Sequence, residues 1–285
     1  MKKLPISIII PAKNESKNIV ECLESLGWAD EIFVVDSQSN DDTVAKAESF
    51  GVHVVQFNYG GGWPKKKNWA INNLPFRNEW IMIVDADERV TPELRDEIAE
   101  AISQATVNGF YIRWKFMFLG RWMKNCWNHG WMLRLFRKGM GEYENLGLTN
   151  EGGWDNEVHE NLYVRGEYKK LQNYMLHESR QDLSYWLAKH NQFSDWEVKR
   201  NRILKRQTIT NPFSLLKASP AEKRKWLRVL FLKMPMQPLL MFVYLFVFKR
   251  GFLDGRAGYY FCRLMAWYFF IINVKTYEDS LKPVA

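Results

Sequence analysis

Four short runs rich in β-branched residues, separated by helical patterns, constrain the fold of this chain more than any other feature. The runs lie at 6–10, 32–35, 52–56 and 80–84, and such runs are typical of strands buried on both faces of a parallel sheet. The segments between them space their apolar residues as amphipathic helices do. Strand and helix thus alternate through residue 105, which predicts an α/β domain with a Rossmann-like, mostly parallel sheet and flanking helices.

Two local signals fix the ends of this region. The apolar run of the opening sequence MKKLPISIII is too short for a signal peptide, so we interpret it as the first strand. Thr91, Pro92 and Glu93 form a cap, a first-turn proline and an acidic first turn, which predicts a helix start there.

The composition is that of a globular protein whose cysteines are expected to be free thiols. Hydrophobic residues make up 47% and charged residues 25% of 285 residues, which excludes extensive disorder and a polytopic membrane protein. The three cysteines, Cys22, Cys126 and Cys262, are far apart in the sequence. Neither a disulfide framework nor a structural zinc site is therefore expected, and a reducing cytosol fits best.

The positive charge is concentrated in one block. Of the net charge of +8, residues 199–233 contribute eleven Lys and Arg against Glu222 alone, so the remainder is 29 − 31 = −2. A basic block beside apolar segments favours an anionic membrane surface as partner. We expect no nucleic-acid partner.

Two apolar segments follow the basic block. Residues 234–248 carry no charge and contain Pro235 and Pro238, and residues 257–274 carry only Arg263. A spanning helix needs about 20 apolar residues, so in-plane or re-entrant helices are favoured. The alternative is a buried helical hairpin of a soluble domain. We predict a catalytic domain over 1–198 and a helical membrane-association region over 199–285.

Polar residues follow three of the predicted strands, at 11–15, 36–39 and 85–88. In open α/β sheets, ligands bind outside the carboxyl ends of the strands. The first turn lacks the G-x-G-x-x-G pattern, which disfavours a dinucleotide fold. Asp85 and Asp87 stand at i and i+2 and can point the same way, so they predict a site for a hard divalent cation that also takes phosphate oxygens. The alternative is a solvated turn.

The segments ISIIIPAKNES, EIFVVDSQSNDDT and WIMIVDADERVTPEL resemble the GT-A fold of the family 2 glycosyltransferases over about residues 4–180. GGGWPKKKNWA, VHE and GFLDG resemble segments of bacterial enzymes that glucosylate lipopolysaccharide core or lipid-linked glycans. The resemblance implies a nucleotide-sugar donor, an inverting transfer and a divalent metal ion, Mg²⁺ or Mn²⁺.

The resemblance also assigns donor-side residues. It places Asp36 at the uracil or ribose, Asp85 at the ribose or metal, and Asp87 on the cation. His177 is either an extra metal ligand or a core histidine bonded to backbone. The remaining donor-pocket candidates are Pro11, Ala12, Asn14, Glu15 and Ala86, with Lys65, Lys66 and Lys67 either neutralising the diphosphate or forming a solvated face. Asp36 has a second interpretation as a helix cap through Ser39 or Asp41.

Inverting transfer requires a general base near the acceptor hydroxyl. Residues 154–160 contain Asp155, Glu157, His159 and Glu160. The VHE-like motif favours Glu160 over Glu157 or Asp155 as the base. His159, on an alternating strand, points away from Glu160 and is expected to be structural or to face the acceptor.

Two further features concern the acceptor. The tryptophans of 110–137, Trp114, Trp122, Trp127 and Trp131, form either an acceptor-side wall or ordinary packing, and Trp63 is favoured as core. The turn that joins the two apolar segments offers Lys249, Arg250 and Arg256 to an acceptor phosphate. The alternative is a plain connection in which Asp254 pairs with a neighbouring arginine.

These expectations combine into one function. The chain is predicted to move a hexose from a nucleotide-diphosphate sugar, expected to be a UDP-sugar, to a hydroxyl of a lipid-linked glycan or lipopolysaccharide core. It is expected at the cytoplasmic face of the inner membrane as a peripheral or monotopic protein. The alternatives are a prenyl-phosphate sugar synthase, which needs no base, and a non-catalytic membrane scaffold.

Overall fold

The computed structural model describes residues 3–127, 131–145, 155, 161–206 and 230–281. The chain divides into two compact units. Met1–Trp122 with Asn128–Gln181 form the N-terminal unit, and Met123–Trp127 with Asp182–Ala285 form the C-terminal unit. The predicted boundary between 198 and 199 falls within a helix, Leu183–Arg206.

The N-terminal unit contains eleven strands and four helices in its described part. The strands are β1 Leu4–Ala12, β2 Ala29–Asp36, β3 His53–Gln56, β4 Trp80–Ile83, β5 Glu88–Val90, β6 Gly109–Phe118, β7 Arg121–Trp122, β8 Trp131–Arg137, β9 Gly141–Tyr143, β10 Leu162–Val164 and β11 Tyr168–His177. The helices are α1 Ile19–Glu24, α2 Thr43–Ser49, α3 Lys66–Asn73 and α4 Pro92–Ser103.

The predicted βαβ region is confirmed. Strands β3, β2, β1 and β4 lie side by side in that order and all pair in parallel. The helix predicted from the Thr91 signal begins at Pro92, and the Thr91 hydroxyl accepts a hydrogen bond from the backbone N–H of Leu94.

The sheet as a whole is mixed: four of the seven pairings along its order are parallel, including that of β11 with β6, so the predicted mostly parallel sheet is confirmed in part. Its order continues from β4 through β8, β6 and β11 to β5. Strand β8 is antiparallel to both β4 and β6, and β5 is antiparallel to β11. Beyond α4, no described helix follows strands β6 to β10 within this unit, and antiparallel neighbours need no crossover helix.

Each face of the sheet has its own apolar core. On one face, Ile8, Met82 and Ile112 pack with residues of α1 and α4. On the other, Ile9, Ile83 and Leu133 pack with Ala70 and Ile71 of α3. Trp63 is partly buried against this second core, as the core interpretation predicts.

The described part of the C-terminal unit is helical. Its helices are α5 Leu183–Arg206, α6 Gln237–Val243 and α7 Gly255–Ser280. A π-helical turn, Tyr244–Phe248, and a 3₁₀ turn, Gly251–Asp254, lie between α6 and α7. Among the helices of the described residues, none combines the length and the apolar character that crossing a bilayer requires.

Candidate active site

The loops after β1 and β2 are joined to each other by hydrogen bonds. Asn14 has a positive φ of 55°, and its backbone N–H donates to the Ser39 hydroxyl at 2.8 Å. The Asn14 side-chain oxygen accepts from the backbone N–H of Asn40, and the N–H of Glu15 donates to the Thr43 hydroxyl. The predicted donor-pocket residues Pro11–Glu15 therefore lie beside the loop that follows Asp36.

Asp36 is completely buried at the end of β2. Its two carboxylate oxygens accept from the backbone N–H and the hydroxyl of Ser39. Asp36 therefore stabilises the turn at Ser39 and does not cap a helix, since α2 begins at Thr43 and its N-cap residue is Asp42. Its carboxylate also shapes the loop that faces Asn14.

The three lysines at the start of α3 are buried, so their interpretation as a solvated face is wrong. The Lys66 ammonium donates to the carbonyl oxygen of Ala12 at 2.7 Å and pairs with Asp155 at 3.1 Å. The Lys67 ammonium lies 2.8 Å from a carboxylate oxygen of Asp85. Buried lysines are rare unless paired, and Ala12 and Asp85, which contact Lys66 and Lys67, lie at the end of β1 and just after β4.

Asp85 is held between two cations. Its second carboxylate oxygen accepts from Arg134 at 2.8 Å, and the same guanidinium nitrogen donates to Glu88 at 2.8 Å. Glu88 also accepts from the backbone N–H of Asp85. With both oxygens engaged by cations, Asp85 is better placed to orient Lys67 and Arg134 than to bind a metal directly.

The pKa values follow from these pairings. Burial opposes the charge of Asp85, but Arg134 and Lys67 outweigh it and hold the pKa of Asp85 far below its usual range. Burial likewise opposes the charge of Lys67, yet Asp85 raises the pKa of Lys67 to about 12. The Asp85, Lys67 and Arg134 side chains are therefore charged at neutral pH.

Asp87 and His177 face each other at the edge of this cluster. The His177 Nδ1 atom is buried and has no hydrogen-bond partner among the described residues. It lies 3.6 Å from Asp87 Oδ1 and 3.9 Å from Glu88 Oε1. Burial lowers the pKa of His177, but the charges of Asp87 and Glu88 outweigh it and raise that pKa overall.

The position of His177 is fixed by sheet register and by aromatic stacking. His177 pairs with Glu88 across β11 and β5 and with Phe116 across β11 and β6. Its ring stacks on Trp114 at 5.0 Å and on Phe116 at 5.4 Å between centroids. The imidazole is therefore held in one orientation toward Asp87.

The pair of Asp87 and His177 fits a divalent cation. A carboxylate oxygen and an unpartnered imidazole nitrogen are suitable ligands for Mn²⁺, and the carboxylate suits Mg²⁺. Among the described residues, no three acidic, histidine or cysteine side chains form a metal cage. Such ions commonly take only one or two protein ligands and complete their shell with phosphate oxygens and water.

Of the acidic residues at 155–160, only Asp155 is described. Glu157, His159 and Glu160 lie outside the described residues. The carbonyl oxygen of Asp155 accepts from the backbone N–H of Lys66 at 2.7 Å, and burial of its carboxylate is outweighed by Lys66, which lowers the pKa of Asp155. A carboxylate with a lowered pKa is a weak proton acceptor, so Asp155 serves to anchor this segment rather than as the base.

The four tryptophans of 110–137 have different surroundings. Trp114 lies against His177, whereas Trp127 belongs to the C-terminal unit and packs edge-on against Phe261 at 5.1 Å. The other two carry cations on their faces: Arg113 lies 4.6 Å from the Trp131 ring and Lys115 lies 4.8 Å from the Trp122 ring. Of these four tryptophans, Trp114 is in contact with a candidate site residue.

Arg134 is the site residue that sequence reasoning missed. It is 2% exposed and neutralises Asp85 and Glu88 at once. The signal was present in the run WMLRLF, where one arginine interrupts an otherwise apolar strand. A buried arginine in such a strand requires acidic partners.

The acceptor-side cations of the sequence analysis lie in the C-terminal unit. Lys249, Arg250 and Arg256 are exposed in the turn between α6 and α7. The alternative pairing of Asp254 with an arginine is wrong. The Asp254 carboxylate accepts instead from the backbone N–H groups of Asn125 and Cys126 and from the Asn125 side chain.

The chain is similar to several known proteins. The model of glycosyl transferase family 2 matches residues 7–152. An uncharacterized glycosyltransferase of Rickettsia conorii is 42% identical over 94 residues, or 33% of this chain and 32% of that protein. The lipopolysaccharide core biosynthesis glycosyltransferase LpsC of Rhizobium meliloti is 31% identical over 156 residues, or 53% of this chain and 57% of LpsC.

A solved structure is also similar. The crystal structure of residues 1–349 of S. aureus TarS matches 91% of this chain and 90% of its own, with 18% identity and a TM-score of 0.46. The match to the Rickettsia conorii protein spans about a third of that relative's length.

Proposed function

Because the chain belongs to glycosyl transferase family 2, we propose that it is an inverting transferase that moves a hexose from a nucleotide-diphosphate sugar to a hydroxyl acceptor. The predicted enzyme class, a glycosyltransferase, is confirmed by the family. The observation that carries the proposal is the pair of Asp87 and His177, which meets at the strand edge where α/β sheets bind ligands. We assign the donor as a UDP-sugar.

The donor-binding residues surround this edge. The joined loops at 11–15 and 36–43 supply the base and ribose pocket, with Asp36 and Ala86 buried at the ends of the strands. Lys65 and Lys67, buried at the start of α3, supply positive charge for the diphosphate. Asp85 keeps Lys67 protonated and fixes the direction of its ammonium group.

Asp87 and His177 are the residues that would hold the divalent ion. When bound, the ion stabilises the negative charge of the departing nucleotide diphosphate. His177 is already oriented by Trp114 and Phe116, so little conformational entropy remains to be lost when it binds an ion.

Glu160 is the proposed base, with Glu157 as the alternative. The acidic segment begins at Asp155, which is tied to α3 through the backbone and the side chain of Lys66. Asp155 itself therefore lies beside Lys66. The base accepts the proton of the acceptor hydroxyl as that oxygen attacks the sugar from the face opposite the diphosphate.

The proposed acceptor is a lipid-linked glycan or a lipopolysaccharide core. The similarity to LpsC, a lipopolysaccharide core biosynthesis glycosyltransferase, supports an acceptor of this class. The proposed location is the cytoplasmic face of the inner membrane, with Lys249, Arg250 and Arg256 directed to acidic groups of the acceptor or of the lipid. Exposed cations beside exposed apolar side chains in the C-terminal unit support attachment to an anionic membrane.

Donor turnover tests the proposal. UDP-hexoses are incubated with the full chain and Mg²⁺ or Mn²⁺, and released UDP is measured with and without EDTA. We expect turnover to stop in EDTA and to fall at least about 100-fold in Asp87→Ala, because the ion supplies several kcal/mol of charge stabilisation. Asp96→Ala, an exposed acid of α4, is the matched control and should keep wild-type turnover. Undiminished turnover in EDTA would overturn the metal assignment.

A further inference from the structure

The turn between α6 and α7 presents apolar side chains to solvent at its tip. We call residues 248–256 the C-terminal turn. Phe248 is 74% exposed, Phe252 50% and Leu253 54%. Large apolar side chains grouped in this way on a surface indicate a partner that buries them.

The charges of the C-terminal turn are sorted by sign. Its cations, Lys249, Arg250 and Arg256, are all exposed. Its one acid, Asp254, is 2% exposed and is the only Asp or Glu between residues 230 and 277. The outward face of the turn is therefore apolar and purely cationic, which is complementary to an anionic lipid surface.

The buried acid also makes the turn rigid. Asp254 Oδ2 accepts from the backbone N–H of Cys126 at 2.8 Å, and Asp254 Oδ1 accepts from the Asn125 side chain at 2.8 Å. A Cβ atom added at Gly258 would lie 2.3 Å from the carbonyl oxygen of Gly251, so the 3₁₀ turn packs directly on α7. Phe248, Phe252 and Leu253 therefore belong to a rigid turn within the C-terminal unit.

Aromatic residues extend the surface beside the tips. Tyr244, Tyr259 and Tyr260 are exposed on the helices that flank the turn. Tyrosine rings are enriched at the boundary between headgroups and hydrocarbon, because one end of the ring is apolar and the other is wet. Exposed apolar, cationic and tyrosine side chains are the types that a membrane leaflet binds in its hydrocarbon, headgroup and boundary regions.

We infer that the C-terminal turn inserts Phe248, Phe252 and Leu253 into one leaflet of an anionic bilayer while Lys249, Arg250 and Arg256 contact lipid phosphates. The inference deepens the proposed function by naming the element that binds the membrane. It predicts lipid binding without donor, metal or acceptor.

Flotation of the full chain with phosphatidylcholine vesicles that contain phosphatidylglycerol tests this inference. The triple variant Phe248→Ser, Phe252→Ser and Leu253→Ser should bind at least about tenfold more weakly, because it removes the inserted apolar surface. Replacing Lys249, Arg250 and Arg256 by Gln should cost about fivefold per charge on these vesicles and little on pure phosphatidylcholine. Leu119→Ser, an exposed leucine of the N-terminal unit, is the matched control and should bind normally.

Insertion is measured directly at Phe248→Cys labelled with an environment-sensitive dye. The native cysteines are buried, so the introduced thiol is labelled preferentially. We expect a blue shift of the emission on anionic vesicles and no shift for Leu119→Cys. UDP release measured on the serine triple variant separates the two proposals, since it should be unchanged if only membrane binding is lost.

Two results would overturn the inference. One is wild-type flotation of the serine triple variant with its fold retained by circular dichroism. The other is the absence of vesicle binding together with a dimer in analytical ultracentrifugation that the same variant dissociates, since the partner would then be a second copy of the chain. Vesicle binding that requires added lipid-linked acceptor would likewise contradict it.

Discussion

The two units of this protein depart from the usual distribution of side chains in different ways: one buries charged side chains, and the other exposes apolar ones. The N-terminal unit buries charge: Glu88, Lys67 and Arg134 are buried around Asp85, whose side chain is 24% exposed. The C-terminal unit exposes apolar surface, as at Phe248. Both arrangements cost stability in an isolated soluble protein. Under the two proposals, the buried charges of one unit serve a charged, polar ligand and the exposed apolar side chains of the other serve a membrane.

Glu160→Gln tests whether the N-terminal unit supplies the general base for transfer independently of membrane binding. Transfer to acceptor should fall about 10²–10⁴-fold, because a general base contributes that much. Donor binding and vesicle flotation should stay at wild-type values. Glu157→Gln is the matched control, with a smaller loss expected. Full transfer by the Glu160 variant with loss in the Glu157 variant would make Glu157 the base, and full transfer by both would favour a lipid-phosphate acceptor, which needs no base.

Arg134→Met breaks the buried side of the comparison. It leaves Asp85 and Glu88 without their shared cation, so the free energy of unfolding should fall by about 3–5 kcal/mol in urea denaturation. Arg95→Met, which removes a pair with Asp96 on the surface of α4, should cost less than about 1 kcal/mol. Equal losses in the two variants would contradict the importance assigned to burial.

Asp155→Asn tests a second buried ion pair of the N-terminal unit, because it removes the charged partner of Lys66. We expect a loss of about 2 kcal/mol at pH 7. The folded pKa of Asp155 is lowered, so its contribution is present above the unfolded pKa of about 3.9 and disappears as the pH falls through the folded pKa. The stability difference between wild type and variant should therefore shrink below about pH 4. A difference that grows on acidification would refute the ion pair.

Gly258→Ala disrupts the packing of the C-terminal turn on α7 without changing any of its apolar or charged side chains. The new methyl group would collide with the carbonyl oxygen of Gly251, which should cost about 1–3 kcal/mol and weaken vesicle binding. Gly60→Ala, at a position where a Cβ meets no atom within 4 Å, is the control. Wild-type stability and flotation of the Gly258 variant would show that close packing of Gly258 on Gly251 is not needed for membrane binding.

The sequence was sufficient for the parallel half of the fold. Local signals such as the Thr91 cap and the β-branched runs act within one element, and the structure follows them. The antiparallel strands were missed, because the pairing of β8 with β4 and β6 depends on contacts between distant segments. Periodicity within a strand does not specify its neighbours.

The candidate site shows the same limit. Asp85 and Asp87 were predicted as a pair, yet the structure gives them different partners, Lys67 with Arg134 for one and His177 for the other. Their separation depends on β11 pairing with β5, a contact between residues about 90 positions apart. Arg134 was missed, and the choice between a functional and a solvated lysine run stayed open, because buried cations are rare and their partners cannot be identified from spacing alone.

Calorimetric titration of UDP into the protein tests the central claim most directly. The claim is that Asp87 and His177 bind a nucleoside diphosphate through a divalent ion. With Mn²⁺ present, UDP should bind the wild type, and the affinity should fall at least about tenfold in Asp87→Asn, because a metal ligand is lost. Asp96→Asn should bind as the wild type does. Equal UDP affinity of wild type and Asp87→Asn, or binding unchanged by EDTA, would contradict the account.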